Sequence, residues 1–236
     1  MTFIEELRDA LLPEYGRLLE TRIFQALASD DKAGGGKYPR PLDLWICYLW
    51  ETYHYTKHNG VNQALCVMRT PTTEKKLLRR QLRHAIEEID HDFLALNDLE
   101  KLGVDREAVI ASRPEPETQA FSSLIYDLVI RERPIGRLGY SFWAEGALNE
   151  EQLPYIADRV RYHYDLPDDH MAFLVAHAEL DRGHSKAAIK AIEAHVKSDK
   201  DKEAVVYFGK ATLRMYYHFL EGVFEKFERG QARLAA

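Results

Sequence analysis

At 236 residues, 46% hydrophobic and 30% charged, the chain has an ordinary globular composition and is long enough for one domain with its own core. A formal charge of −6 argues against a nucleic-acid partner, and the most basic run, Lys75-Lys76-Leu77-Leu78-Arg79-Arg80, reads as the solvated side of a helix. No apolar run approaches the roughly 20 residues that span a bilayer, and the N-terminus has no signal-peptide core, so a cytoplasmic protein with no membrane partner is expected.

Helical periodicity dominates the chain. Leu7, Leu11, Leu18, Ile23 and Leu27 recur at three- and four-residue steps and predict an amphipathic helix from Phe3 to Ala28, kinked or divided at Pro13. Asp30 to Lys37, with three successive glycines, predicts a flexible break. An aromatic-rich helix follows from about Pro41 to His58. A helix opening at Thr70-Pro71-Thr72 is predicted to run to Leu102 and stop at Gly103. Helices are then predicted at about 116–132, 134–149, 150–165, 168–184, 185–198 and 201–229. Cys47 and Cys66 have neither metal-knuckle nor disulfide spacing and read as reduced, buried thiols. The whole, residues 1–236, is expected to be a single all-α domain.

Four stretches place metal-binding side chains on inward-looking faces. In Val175 to His184, His177, Asp181 and His184 stand at i, i+4 and i+7, within a sector of about 60° on a helix that turns about 100° per residue. Two imidazoles and a carboxylate on one face suit a divalent transition metal, iron especially. Glu88 and His91 form a Glu-x-x-His pair, and His84 lies on the same stripe. Glu145 sits in the aromatic, small-residue stretch Gly139 to Ala147, where a buried carboxylate needs a cation or a hydrogen-bond partner. Glu51, His54 and His58 share a face among aromatics, either as ligands or as the wall of a substrate pocket. Together these side chains match the needs of two metal ions.

The order and spacing of these residues resemble the heme-oxygenase-like diiron oxidases, which share a helical fold with thiaminase II and pyrroloquinoline-quinone synthase. The metal motif of that family is a Glu and a His on early helices, a Glu on a middle helix, then His-x-x-x-Asp-x-x-His. His91, Glu145 and the triad His177, Asp181 and His184 fall in that order, separated by 54 and then 32 residues. The resemblance runs from about Leu42 to Tyr217. It implies a heme-oxygenase-like helical bundle that holds two irons per chain and uses O₂ as co-substrate to oxidise a small amino-acid-like or fatty-acid-like molecule. Glu145 is then the bridging, catalytic carboxylate. Either Glu51 or Glu88, or both, is the early carboxylate; some family members have a glutamate where this chain has His84. Tyr53, His54, Tyr55, Tyr140 and Trp143 are expected to shape the substrate pocket, and the aromatic-rich helical surface points to a homodimer. Two alternatives stand beside this reading. One is a metal-free member of the same fold that binds or hydrolyses a small heterocycle, although no cysteine lies near Glu145 to serve as the thiaminase nucleophile. The other is a structural or interaction protein with incidental histidines.

Overall fold

The structure, a computed structural model, describes residues 1–31, 38, 41–148 and 150–234; the side chains of 179–182, 184 and 231–234 lie outside that description. The predicted glycine-rich break at 32–37 falls outside it as well. Every regular element among the described residues is helical, and none of these helices is long and apolar enough to cross a membrane.

The first helix, α1 (Phe3–Leu18), begins with a capping box in which Thr2 Oγ1 accepts from the Glu5 N–H at 3.3 Å and Glu5 Oε2 accepts from the Thr2 N–H at 2.7 Å. It runs through Pro13 instead of dividing there. Pro13 and Asp9 both face solvent, so the Asp9 carbonyl that loses its helical donor meets water, while the buried stripe of Leu7, Leu11, Tyr15 and Leu18 continues unbroken. The break comes later, before α2 (Arg22–Ala28). The next two helices are α3 (Leu42–Thr56) and α4 (Asn59–Arg69).

The predicted helix ending at Leu102 is two helices, α5 (Lys75–Glu87) and α6 (His91–Lys101). Asp90 between them takes a left-handed conformation with φ 75°, which aspartate tolerates better than most residues and which ends α5 without glycine. There follow α7 (Arg106–Ala111), α8 (Pro116–Arg131), a 3₁₀ turn at Pro134–Arg137, α9 (Leu138–Ala144) and α10 (Gln152–Tyr164). The two helices predicted at 168–184 and 185–198 are one, α11 (Ala172–His195), which passes through the exposed Gly183. A glycine inside a helix costs about 1 kcal/mol but does not stop it when the flanking residues hold helical geometry. The last helix, α12 (Asp199–Leu234), packs along α1, α3, α8 and α9. Its Phe208, Phe219 and Phe224 are wholly buried, and each such side chain stabilises the fold by about 1.5–3 kcal/mol.

One long-range cap sets the geometry that matters later. Asp98, on α6 and fully buried, accepts from the backbone N–H groups of Ala172 and Phe173, each at 2.9 Å, and so satisfies the first orphan donors of α11. It lies two turns beyond His91, and Phe173 lies one turn before His177, so this contact fixes one helix against the other. Asp98→Ala is expected to lower stability by about 1–2 kcal/mol, read as a shift in denaturant midpoint with unchanged slope.

Candidate metal centre

Five carboxylate and imidazole side chains from three separate parts of the chain meet at one cavity. Glu88 caps the C-terminal end of α5 and His91 opens α6. The left-handed turn at Asp90 between them leaves His91 Nδ1 3.8 Å from Glu88 Oε2. The pair therefore flanks a helix break, where the sequence spacing predicted one continuous helix. Glu145 caps the end of α9 and is buried. The Nε2 atom of His84 lies 3.3 Å from Glu88 Oε1 and 3.4 Å from Glu145 Oε1, so one imidazole stands between the two carboxylates. His177, in the second turn of α11, sets its ring 5.0 Å from that of His91, edge to face at 75°. Burial pushes the Glu88 carboxyl up, but the hydrogen bond and charge of His84, with the charge of His91, outweigh it and hold it below the usual carboxylate range.

The cavity has a volume of about 150 Å³, room for on the order of ten water-sized groups. Most of its wall is apolar and aromatic, including Trp45, Tyr48, Tyr55, Tyr140, Trp143 and Tyr216. Trp143 is fixed by its Nε1–H, which donates to Thr212 Oγ1 at 3.0 Å, while the Thr212 hydroxyl donates to the Phe208 carbonyl at 2.7 Å. Burial raises the phenol pKa values of Tyr55, Tyr140 and Tyr216, so these groups stay neutral.

A family model described as iron-containing redox enzyme matches residues 47–217, a span that holds His84, Glu88, His91, Glu145 and His177. The chain belongs to the family of iron-containing redox enzymes. Its backbone is similar to that of a domain of unknown function with a heme oxygenase-like fold from Shewanella denitrificans, at 29% identity over 96% of this chain and 94% of that one, with a TM-score of 0.84. It is also similar to a TenA homologue from Pseudomonas syringae (18% identity, 95% and 93% covered, TM-score 0.76). A CADD-like protein of unknown function from Nostoc punctiforme is a further structural relative (17% identity, 95% and 96% covered, TM-score 0.69). The fold is thus heme-oxygenase-like and all-α. A search of curated proteins finds no match.

The donor chemistry of the cluster fits the metal the family is named for. His91 Nδ1 is buried without a hydrogen-bond partner among the described residues, a state that costs free energy unless an N–H donor or a cation meets it. The His177 Nδ1–H donates to the Phe173 carbonyl at 2.6 Å, the outer-sphere hydrogen bond that fixes a ligating histidine's tautomer with the lone pair on Nε2. Carboxylates and imidazoles together suit iron. Among the described residues no three donors form a ready-made cage. Two of the predicted ligands, Asp181 and His184, have side chains outside the described residues.

Of the two early carboxylates, Glu88 stands in the cluster and Glu51 stands apart. Glu51 is fully buried off the cavity wall, where it accepts from Lys226 Nζ at 2.6 Å, Thr118 Oγ1 at 2.6 Å and the Glu115 N–H at 3.0 Å. Its charge is met by protein and ties α3 to α8 and α12. Of the predicted pocket residues, Tyr55, Tyr140 and Trp143 line the cavity, whereas Tyr53 and His54 do not. His58 also lies off the wall, with Nδ1 3.2 Å from the Tyr126 hydroxyl.

His54 instead belongs to a closed polar network. The Ser112 hydroxyl donates to the Val109 carbonyl at 2.7 Å and accepts from Trp50 Nε1–H, which leaves it to accept from His54 Nε2–H, each at 2.8 Å. Burial, then the nearby Lys57 ammonium, pushes the His54 pKa down to about 4. The folded protein therefore binds fewer protons at His54 than the unfolded chain does between pH 6.5 and 4. Stability is expected to fall as pH drops through that window, by up to about 3 kcal/mol. Denaturant midpoints measured across it should fall less steeply in His54→Asn.

Sequence reading passed over one functional-looking residue, Arg137, which is buried on the cavity wall. Its signal was the one that marked Glu145, a lone charge in a stretch of glycine and apolar residues.

Proposed function

We propose that this chain is a non-heme diiron enzyme that activates dioxygen to oxidise a small molecule held in the aromatic cavity. Glu88, His91, Glu145, His177, Asp181 and His184 would hold the irons, with Glu145 as the shared carboxylate. Iron there would supply the binding and reduction of dioxygen. The observation that carries the reading is the buried Nδ1 of His91, without a hydrogen-bond partner among the described residues, within a cluster of carboxylates and imidazoles. The chain's own residues do the rest. His84 orients Glu88 and Glu145 from between them, and the Phe173 carbonyl holds the His177 ring. Tyr55, Trp143 and Tyr216 keep bulk water from the reacting end of the substrate, which strengthens every electrostatic contact inside.

A second reading, a metal-free enzyme or binding protein of the same fold, is favoured by one feature: His84 already partners both carboxylates without a cation. A cysteine nucleophile is not its basis. Neither Cys47 nor Cys66 lines the cavity, and burial pushes both thiols up to about 11.

Anaerobic titration of the metal-free protein with Fe(II), followed by mixing with O₂, separates the two. The diiron reading expects about two irons per chain, a stoichiometry lost in His91→Ala and Glu145→Ala, and oxygen consumption that depends on bound iron. No stoichiometric uptake would sink it and leave the metal-free reading.

A further inference from the structure

We infer that Arg137 anchors the carboxylate of a small monocarboxylic substrate, an inference that rests on the proposal that the cavity binds the molecule to be oxidised. Arg137 ends the 3₁₀ turn before α9 and is only 3% exposed, on the wall of the cavity that also holds Glu88 and Glu145. Its hydrogen-bond partners are neutral, and its charge also acts on Glu88, where it helps to lower the carboxyl pKa without forming an ion pair among the described residues. Nε–H donates to Asn62 Oδ1 at 2.8 Å, and one Nη1–H donates to Ser141 Oγ at 3.3 Å. No ion pair joins it to a carboxylate among the described residues, and Nη2 has no hydrogen-bond acceptor there. A buried guanidinium left in that state is costly, and an anion at its open edge removes the cost.

The shape of the site selects the anion. Arg137 lies over the Tyr140 ring, 5.1 Å from its centroid, with Asn62 and Ser141 fixing the guanidinium on the other sides. What remains open is a planar fork of Nη hydrogens, which matches a carboxylate in two parallel hydrogen bonds. A dianion such as a phosphate monoester is disfavoured, because Arg137 is the one lysine or arginine among the described residues lining a cavity that already contains two carboxylates. Asn59 Oδ1 adds a second buried polar atom on the same wall without a partner among the described residues. Trp45, Tyr48 and Tyr216 are left to pack on the apolar part of the molecule.

The test is binding of phenylacetate and of its uncharged isostere phenylacetamide to the full chain kept metal-free with a chelator. Calorimetry or the fluorescence of Trp45 and Trp143 would read it. Saturable binding of the acid, about tenfold or more tighter than the amide, is expected, with the preference lost in Arg137→Gln and partly kept in Arg137→Lys. Equal binding of acid and amide, no saturable binding of the acid, or a preference that survives in a folded Arg137→Gln protein would overturn the inference. Should Arg137→Gln fail to fold, the acid-against-amide comparison in the wild type still decides. Iron titration of the same preparations separates the two claims. Iron uptake without acid preference sinks the anchor alone, and acid preference without iron uptake sinks the diiron reading alone.

Discussion

Gly139→Ala is expected to leave little or no folded protein. A Cβ at Gly139 would lie 2.0 Å from the Val205 carbonyl oxygen and 2.9 Å from the Gly209 nitrogen. Both neighbours are backbone, so no side chain can turn aside, and relief requires α9 to move off α12. Overpacking a core ordinarily costs about 1–3 kcal/mol, and losses above about 4–5 kcal/mol are exceptional; a backbone clash at this distance belongs to the second class. The same move would drag Tyr140, Trp143 and Glu145 away from the cavity. The control is Gly16→Ala in α1, where nothing lies within 4 Å of the added carbon. There a gain of about 0.5–1 kcal/mol is expected from helix propensity. Soluble yield and denaturant midpoints of the two variants give the comparison, and a well-folded Gly139→Ala protein would refute the close approach of α9 and α12.

Glu51→Ala is the second large effect, and it separates stability from metal binding. Removing the carboxylate leaves the Lys226 ammonium, the Thr118 hydroxyl and the Glu115 N–H without their acceptor at a position with no solvent access. Breaking a buried pair from one side costs about 3–5 kcal/mol, and the partial exposure of Lys226 places the expected loss near the lower end. Glu51→Gln should recover part of it, since the amide oxygen still accepts. Iron stoichiometry is expected to be unchanged in the folded Glu51→Gln protein, whereas Glu88→Gln should lose iron with a smaller change in midpoint. Iron loss in Glu51→Gln at unchanged Glu88 would reverse the assignment of the early carboxylate.

The helical character of the chain was legible because its apolar residues repeat at three and four, and the cluster was legible from residue types and their order: a Glu-x-x-His pair, a lone glutamate in an aromatic stretch and the histidine-rich face of α11, although Glu88 and Glu145 sit at helix ends. The breaks were less so. A left-handed Asp90 carries no glycine to announce it, so one helix was read where two exist, and Pro13 was read as a kink or a division, although its solvent-facing position lets the helix run through it. The division predicted between 184 and 185 is likewise an end that α11 does not have. Glu51 and His54 show the limit of face-sharing arguments. Spacing puts them on one inward face, but only the tertiary fold brings Lys226, from 175 residues away, to one and Ser112 to the other. Arg137 is the converse, a lone charge in an apolar stretch that forms no ion pair with a carboxylate among the described residues.

The central claim is that two irons sit among Glu88, His91, Glu145 and His177. Anomalous diffraction at the iron edge, from crystals grown with Fe(II) under anaerobic conditions, tests it most directly. Two peaks within bonding distance of those side chains are the expected result. Peaks beside Glu51, or none in the cavity, would contradict it.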